Sequence, residues 1–234
     1  MRRAPLALAL ASTLALSAGA ARAVSWTVDS ERSTFAVLTH RAGIGARLAH
    51  EHLIVARGAT TALDFDPAAA EATRFTLEVP VLALEVDPAA ERAALAARLQ
   101  LLGALAEELP PVDEDDRAKI RRAMLGAGKL AAERFPGLRA ELLAVERRGA
   151  GGDGGARVAL GWNARVRFEL RGAKVETTVA LRWELEGEEL HAELLGELRF
   201  TDFGIEPYSA ALGAIRNADL FHVYVDLVAR PAAP

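Results

Sequence analysis

Apolar and polar residues alternate with a period of two through most of this chain, and no other feature constrains its fold as strongly. The segment RFTLEVPV at 74–81 shows the pattern clearly, because one of its sides carries Phe75, Leu77, Val79 and Val81. Side chains of a β-strand point alternately to the two faces of a sheet, so this spacing predicts a strand with one buried and one polar face. The chain is therefore expected to consist mainly of β-strands.

The same alternation recurs in other segments, each of which is predicted to form one or two strands. These segments are 25–29, 33–39, 46–58, 60–66, 165–172, 174–200 and 220–229. The longest of them is predicted to form two strands joined by a Glu-Gly turn. A glycine-rich stretch at 147–157 is expected to be a loop. Strands that follow one another without β-α-β spacing form a meander, and a meander of about eight strands tends to close into a barrel.

One block, at about 88–134, changes to the spacing of a helix. Its leucines recur at intervals of three and four residues and form one stripe, at Leu95, Leu99, Leu102, Leu105 and Leu109. We expect this helix to end at the Pro-Pro pair 110–111, because proline cannot continue a helix. Asp113 is the expected N-cap of a second helix. The leucine stripe is expected to pack over the barrel, with a lid over its mouth as the alternative.

The first 23 residues show the features of a secretory signal peptide in the usual order. Two arginines precede an apolar run at 6–16, and Ala-Arg-Ala at 21–23 has the small residues of a cleavage site. We predict cleavage after Ala23, export to the periplasm, and a single barrel domain at 24–234. The apolar run is too short to span a bilayer, and no later segment is apolar enough to be a transmembrane helix.

The composition and the motifs of the chain argue against several classes of function. The chain contains no cysteine and has a formal net charge of −4 at pH 7. Without disulfides, an exported domain depends on its hydrophobic core for stability. An acidic chain without a basic stripe argues against nucleic acid as a partner. No nucleophile elbow, phosphate loop or dinucleotide fingerprint occurs, so we predict a binding protein that is not an enzyme and needs no cofactor.

Two histidines, His50 and His52, stand two residues apart in the sequence AHEHL and are candidates for site chemistry. On a strand they project to the same face, where two imidazoles could share a metal ion. Such a site needs further ligands, and the spacing selects none. Three interpretations stay open: structural hydrogen bonding at the barrel mouth, polar contacts with a ligand, and a metal-binding pair. His222, on the outward side of the closing strand, is expected to face solvent.

The order of several motifs resembles the YceI-like family, periplasmic bacterial proteins with a lipocalin-like barrel that bind polyisoprenoid-type lipids. The motifs are the opening segment 26–67 with HRAGIG inside it, the helix-to-strand segment 124–141 with its Phe-Pro pair, the hairpin strand at 166–181, and DFGI before the closing strand within 199–229. The resemblance covers nearly all of the exported chain. It implies an all-β fold: a lipocalin-like extended antiparallel β-barrel of about eight strands with a helical insertion.

The resemblance also implies a ligand. A lipophilic molecule of isoprenoid type, polyisoprenoid or quinone-like, would lie in the apolar barrel interior, and the protein would carry or sequester it in the cell envelope. The expected ligand-binding residues are apolar side chains of the strands and two histidines at the polar end: Phe35, Val37, Phe75, Leu77, Val79, Phe168, Val179, Trp183, His50 and His52. From the residues alone, the same apolar side chains could instead fill a dry core. A metal-binding protein that uses the two histidines is the alternative function, and a homodimer is a candidate oligomeric state.

Overall fold

The structure is a computed structural model that describes residues 24–44, 50–148, 161–210 and 215–233. The predicted signal peptide lies outside these residues, and so does most of the glycine-rich stretch. Among the residues described, no helix has both the length and the apolar character needed to cross a membrane.

Strands dominate the part of the chain that the structure describes. They are β1 (Val24–Val28), β2 (Thr34–Ala42), β3 (His52–Ala56), β4 (Thr60–Phe65), β5 (Arg74–Pro80), β6 (Leu84–Val86), β7 (Gly137–Arg147), β8 (Trp162–Leu170), β9 (Ala173–Glu186), β10 (Glu189–Arg199), β11 (Ser209–Ala210) and β12 (Ile215–Pro231). The helices are α1 (Arg92–Leu101) and α2 (Glu114–Leu125). Both helices fall inside the block with helical spacing, so the predicted helical insertion is confirmed.

Eight of the strands form a closed antiparallel ring. Its order is β1-β4-β5-β7-β8-β9-β10-β12, and the pairing of β1 with β12 closes it, with Trp26 opposite Pro231 and Val28 opposite Ala229. Strands β2, β3 and β6 extend the sheet beyond the ring. One edge of the long strand β12 pairs with β2 first and with β1 closer to its C-terminal end, so β2 continues the sheet outside the ring. The predicted fold, an extended lipocalin-like antiparallel barrel, is confirmed.

The two faces of the barrel wall carry two separate hydrophobic cores. The inner core lies inside the barrel and includes Phe35, Val179 and Val223. The outer core lies between α1 with its following turn and the outside of the wall, and its buried members are Ala36, Leu38, Leu53, Val55, Leu95, Leu99, Leu102, Ala104, Leu105, Ala180, Leu195 and Tyr224. The leucine stripe therefore packs over the barrel, as predicted, and it does so against the outer wall.

Helix α1 is shorter than the sequence predicted. It ends at Leu101, well before the Pro-Pro pair, because Gly103 has a left-handed φ of 70°. The N–H of Gly103 bonds to the carbonyl of Gln100, and the N–H of Ala104 bonds to that of Leu99. These two bonds are a Schellman C-cap, in which glycine adopts the left-handed conformation at little cost. The prediction was wrong because it gave the prolines precedence over the earlier glycine.

Helix α2 begins where the sequence predicted. Asp113 is its N-cap, and the carboxylate accepts a hydrogen bond of 2.8 Å from the N–H of Asp116. From the middle of α2, Arg121 donates to the carbonyls of Leu84 and Leu82 at 3.1 and 2.6 Å. The helix thus covers an edge of β6 where no further strand pairs among the described residues. Covering an edge in this way protects it from pairing with another chain.

The strand predicted at 46–58 is shorter in the structure. Strand β3 begins at His52, and residues 45–49 lie outside the described part of the chain. His50 precedes the strand, so the expectation that both histidines share one strand face was wrong. Strand β7 was not among the alternating segments; it follows the Phe-Pro pair, where the family resemblance implied a strand.

Candidate functional site

An apolar cavity of about 120 Å³ lies inside the barrel. Every strand of the ring except β1 contributes to its wall, together with the turn between β4 and β5. The lining residues are Leu63, Phe65, Ala70, Thr73, Phe75, Leu77, Ala140, Leu142, Val145, Ala164, Val166, Phe168, Leu181, Trp183, Leu190, Ala192, Leu194, Val223, Val225 and Leu227. A concave apolar space with few polar groups is the usual form of a site for a small lipophilic ligand.

The residues predicted to bind a ligand fall into three groups. Four of the apolar ones line the cavity: Phe75, Leu77, Phe168 and Trp183. The other four belong to the inner core but are not part of the cavity wall: Phe35, Val37, Val79 and Val179. The two histidines, His50 and His52, lie away from the cavity. Period-two alternation identified the inward face of the strands, and ligand binding by these residues stays a prediction.

Some of the cavity wall was missed by sequence reasoning. Val166 and Leu181 stand on the apolar faces that the alternation had identified, so the same signal could have selected them. Ala140, Ala164 and Ala192 also line the cavity, and alanine carries no comparable signal because it occurs on both faces of strands. These short side chains help to leave the space open.

Only two of the lining residues carry polar side-chain atoms, and their hydrogen bonding differs. The hydroxyl of Thr73 donates to the carbonyl of Ala70 at 2.6 Å. The indole Nε1 of Trp183 is buried and has no hydrogen-bond partner in the described part of the chain. The wall of the cavity therefore carries no charge and one unengaged hydrogen-bond donor.

Trp183 belongs to an aromatic cluster near the turn between β9 and β10. Its ring centroid lies 5.0 Å from that of Phe65 in a T-shaped contact and 6.0 Å from that of Trp162. Phe65 also contacts Trp26 at 5.7 Å, and the Nε1 of Trp26 donates to the Phe65 carbonyl at 3.0 Å. Aromatic contacts of this kind have preferred geometries. The Trp183 indole is thus held by neighbouring rings, whereas the Trp26 indole also has a hydrogen bond.

His52 takes part in a buried polar cluster just before α1. Its Nδ1 lies 2.7 Å from Oδ2 of Asp87, whose Oδ1 accepts from the N–H of Leu53 at 2.9 Å and from Nε of Arg92 at 3.1 Å. Burial raises the pKa of Asp87, but the hydrogen bonds from His52, Leu53 and Arg92 together outweigh burial and hold this pKa below its ordinary value. The cluster fastens β3 to the beginning of the helical insertion.

A second histidine cluster lies on the outer wall. His40 Nε2 lies 2.7 Å from His222 Nδ1, and His40 Nδ1 lies 3.1 Å from Oε1 of Glu51. On the other side, His222 Nε2 lies 3.3 Å from Oε1 of Glu197. A distance of 2.7 Å is that of a hydrogen bond between the imidazoles. His222 is 6% exposed, so its expected contact with solvent was wrong: it points outward but is buried among neighbouring side chains.

The structure gives little support to a metal site at the His50/His52 pair. Within the described residues, no group of three or more His, Cys, Asp or Glu side chains is placed to hold a metal ion. The two ring centroids are 6.3 Å apart, His50 is exposed, and Nδ1 of His52 is engaged by Asp87. The described part of the chain adds no third ligand to the pair.

A charged network lies beneath α1 on the outer wall. The Glu193 carboxylate accepts hydrogen bonds from Arg98 on the helix, from Arg182 at 3.4 Å and from the Tyr224 hydroxyl at 3.0 Å. Burial raises the pKa of Glu193, but the bonds from Arg98 and Tyr224 and the nearby arginine charges lower it below its usual range. Burial and the Glu193 charge raise the pKa of Tyr224. This network attaches the helical insertion to the barrel.

Comparisons with known proteins support the fold. No protein-family model matches the sequence, and no curated protein sequence matches it. Among solved structures, BcnA of Burkholderia cenocepacia superposes with a TM-score of 0.57 at 14% identity, over 86% of this chain and 99% of that chain. The YceI protein of Campylobacter jejuni superposes with a TM-score of 0.52 at 9% identity, over 77% of this chain and 85% of that chain.

The closed ring and its interior cavity define a lipocalin-like barrel. More specifically, the chain has the fold of the YceI protein, which its sequence motifs had predicted. Because the identities are low, this likeness concerns the arrangement of strands and carries no ligand with it.

Proposed function

We propose that the mature protein binds a lipophilic molecule of isoprenoid type inside the barrel, and that it carries or sequesters this molecule in the cell envelope. The observation that carries the proposal is the cavity inside the barrel with its uncharged wall. Protein interiors are normally packed as densely as organic crystals, and unfilled apolar space lowers stability. A cavity kept open among paired strands is therefore best explained by a ligand that fills it.

The size of the cavity bears on how much of the ligand it holds. An engineered apolar cavity of roughly 150 Å³ in another protein binds one benzene molecule. The present cavity, at about 120 Å³, therefore has room for one ring or one branched five-carbon unit. A longer isoprenoid chain requires lining side chains such as Phe168 and Leu142 to move outward. We expect the barrel to widen when such a chain enters.

The remaining parts of the proposal come from the sequence. The signal-peptide features at 1–23 support export to the periplasm. A quinone-like ligand is included because a short isoprenoid tail or a single ring suits the cavity. The absence of nucleophile and cofactor motifs from the sequence favours binding over catalysis. A homodimer stays a prediction, which the mass of the protein in solution tests.

The test is native mass spectrometry on protein purified from the periplasm without detergent or chelator. We expect an added mass of lipid size that organic solvent extracts. Ala164→Leu, which places a larger side chain in the cavity wall, should lower the lipid-bound fraction at least tenfold. The matched control is Ala97→Leu on the exposed side of α1, which should leave the bound fraction unchanged.

Two results would overturn the proposal. One is a wild-type protein that carries no lipid and takes none up from isoprenoid-containing vesicles. The other is an Ala164→Leu variant that binds lipid as well as the control does. An added mass of a single metal ion that a chelator removes, without lipid, would instead favour the metal-binding alternative.

A further inference from the structure

We infer that the protein has a second binding site, in the cleft between α1 and the outer wall of the barrel, and that this site binds an aliphatic diamine. The cleft has a volume of about 450 Å³. It lies on the opposite face of the wall from the apolar cavity, so a ligand in it is independent of the lipophilic molecule of the proposed function.

The cleft begins where the outer apolar core ends. Leu195 and Tyr224 pair across β10 and β12, and both belong to the outer core beneath α1. Two residues away on each strand, towards the β9–β10 turn, Glu193 pairs with Asp226. Alternation along a strand places these two carboxylates on the same outer face as Leu195 and Tyr224, and both residues line the cleft.

The helix does not fill the space above this polar row. Its side of the cleft is formed by short or apolar side chains, at Ala90, Ala94 and Leu95, with Arg98 at the far end. The cleft therefore has an apolar strip on the helix and a polar floor on the sheet. A hydrocarbon chain that lies along the strip removes apolar surface from water.

The carboxylates of the floor differ in their pairing. Glu193 accepts hydrogen bonds from Arg98 and Arg182. Asp226 and Glu184, which also line the cleft, have no hydrogen bond or ion pair with the described residues. Because both arginines already bind Glu193, the cleft offers more to a cation than to an anion.

Asp226 has a further reason to bind a positive charge. It stands directly opposite Glu193 across the strands, and like charges in that position destabilise a sheet. Partial burial and the charge of Glu193 raise the pKa of Asp226 above its ordinary value. An ammonium group next to Asp226 would stabilise the charged carboxylate.

Glu184 provides the second anchor. It pairs with His191 of β10, so it lies two strands from Asp226 and one pair of residues nearer the β9–β10 turn. Standard strand spacing then puts the two Cα atoms about 12 Å apart. Since both side chains line one cleft, a diamine with about five carbons between its ammonium groups can contact both carboxylates and lay its methylenes against Ala90 and Ala94.

The test uses three probes of the same length on the full mature protein: cadaverine with two ammonium groups, pentylamine with one, and 1,5-pentanediol with none. Calorimetry at low salt should show binding of cadaverine, about tenfold weaker binding of pentylamine, and no binding of the diol. Added sodium chloride should weaken cadaverine binding, because salt screens exposed charges.

Variants locate the site. Asp226→Asn and Glu184→Gln should each lower the affinity for cadaverine about tenfold, the loss expected for one charge-assisted hydrogen bond. Glu71→Gln, at an exposed carboxylate in the turn between β4 and β5, is the matched control and should leave the affinity unchanged. Ala164→Leu, which crowds the barrel cavity, should leave it unchanged as well.

Four results would overturn the inference. They are a wild-type protein that does not bind cadaverine, equal binding of cadaverine and the diol, full affinity in folded Asp226→Asn, and loss of cadaverine binding in folded Ala164→Leu. The last would place the diamine in the barrel. None of these results bears on whether a lipophilic molecule binds in the apolar cavity, so the proposed function is tested separately.

Discussion

The inner and outer faces of the barrel wall are built from the same strands, yet they contain different chemistry. On the outer face, α1 covers a network in which Glu193 binds Arg98, Arg182 and Tyr224. On the inner face, the cavity wall has no charge and one unengaged donor, at Trp183. The Glu193 carboxylate on the outer face accepts several hydrogen bonds, whereas the inner wall contributes no such network among the described residues. Under the proposed function, the inner face holds the ligand, and the ion pairs of the outer face hold the helical insertion in place.

The largest loss of stability is expected from removing the Asp87 carboxylate, which joins β3 to the helical insertion. Asp87→Ala leaves Arg92, His52 and the N–H of Leu53 without their shared acceptor in a buried place. Breaking a buried ion pair from one side costs about 3–5 kcal/mol, and we expect a loss of that order in the free energy of unfolding. Urea denaturation measures it, and a loss below 1 kcal/mol would contradict the assigned role.

The same carboxylate makes stability depend on pH in a known direction. The pKa of Asp87 is lower in the folded protein than its ordinary value of 3.8. Its contribution is therefore present above pH 3.8 and is lost as the pH falls below that value towards the folded pKa. Urea denaturation between neutral pH and pH 3 should show a smaller acid loss in Asp87→Ala than in the wild-type protein. Equal losses would assign the acid sensitivity to other groups.

An intermediate effect is expected from crowding the inner face. A Cβ atom at the buried Gly196 would lie 2.3 Å from Cγ1 of Val179 and 3.1 Å from Cγ2 of Val223. Valine has little rotameric freedom with which to yield. We expect Gly196→Ala to destabilise the protein by about 1–3 kcal/mol through overpacking. Thermal unfolding checks this, with Gly128→Ala as the control, because a Cβ at Gly128 meets no atom within 4 Å.

A smaller loss of stability is expected from changing the charged network on the outer wall. Glu193→Gln keeps the shape of the side chain but removes the charge that Arg98 and Tyr224 contact. Arg98 is 35% exposed, so solvent screens part of the interaction, and we expect a loss of about 1–2 kcal/mol. If the two faces have separate roles, affinity for a lipophilic ligand should stay unchanged. A large loss of affinity, measured by calorimetry on the folded variant, would contradict that separation.

The smallest loss of stability is expected at His50, and His52 is its comparison. His50 is exposed, so His50→Ala should change the free energy of unfolding by less than about 0.5 kcal/mol. His52→Ala removes the group next to Oδ2 of Asp87 and should cost more, about 1–2 kcal/mol. Denaturation of the two variants side by side measures the difference. Equal effects would mean that the two histidines act as a pair after all.

Sequence reasoning reached the barrel and the inward face of its strands because both depend on local alternation. Phe75, Leu77, Phe168 and Trp183 were found in this way. The cavity itself could not be predicted from the sequence, because it depends on where small residues such as Ala164 come together across strands. The partners of the histidines could not be predicted from the sequence because they lie far along the chain: Asp87 for His52.

The separation of the two faces is the central claim, and methyl NMR tests it most directly. Leu194 and Leu195 are neighbours in β10, but Leu194 lines the cavity and Leu195 lies in the outer core. On titration with geraniol, we predict large shifts and ligand contacts for the methyl groups of Leu194 and Leu63. The methyl groups of Leu195 and Leu38 should hardly change. Ligand contacts at Leu195 and Leu38, with none at Leu194, would place the ligand under the helix and contradict the account.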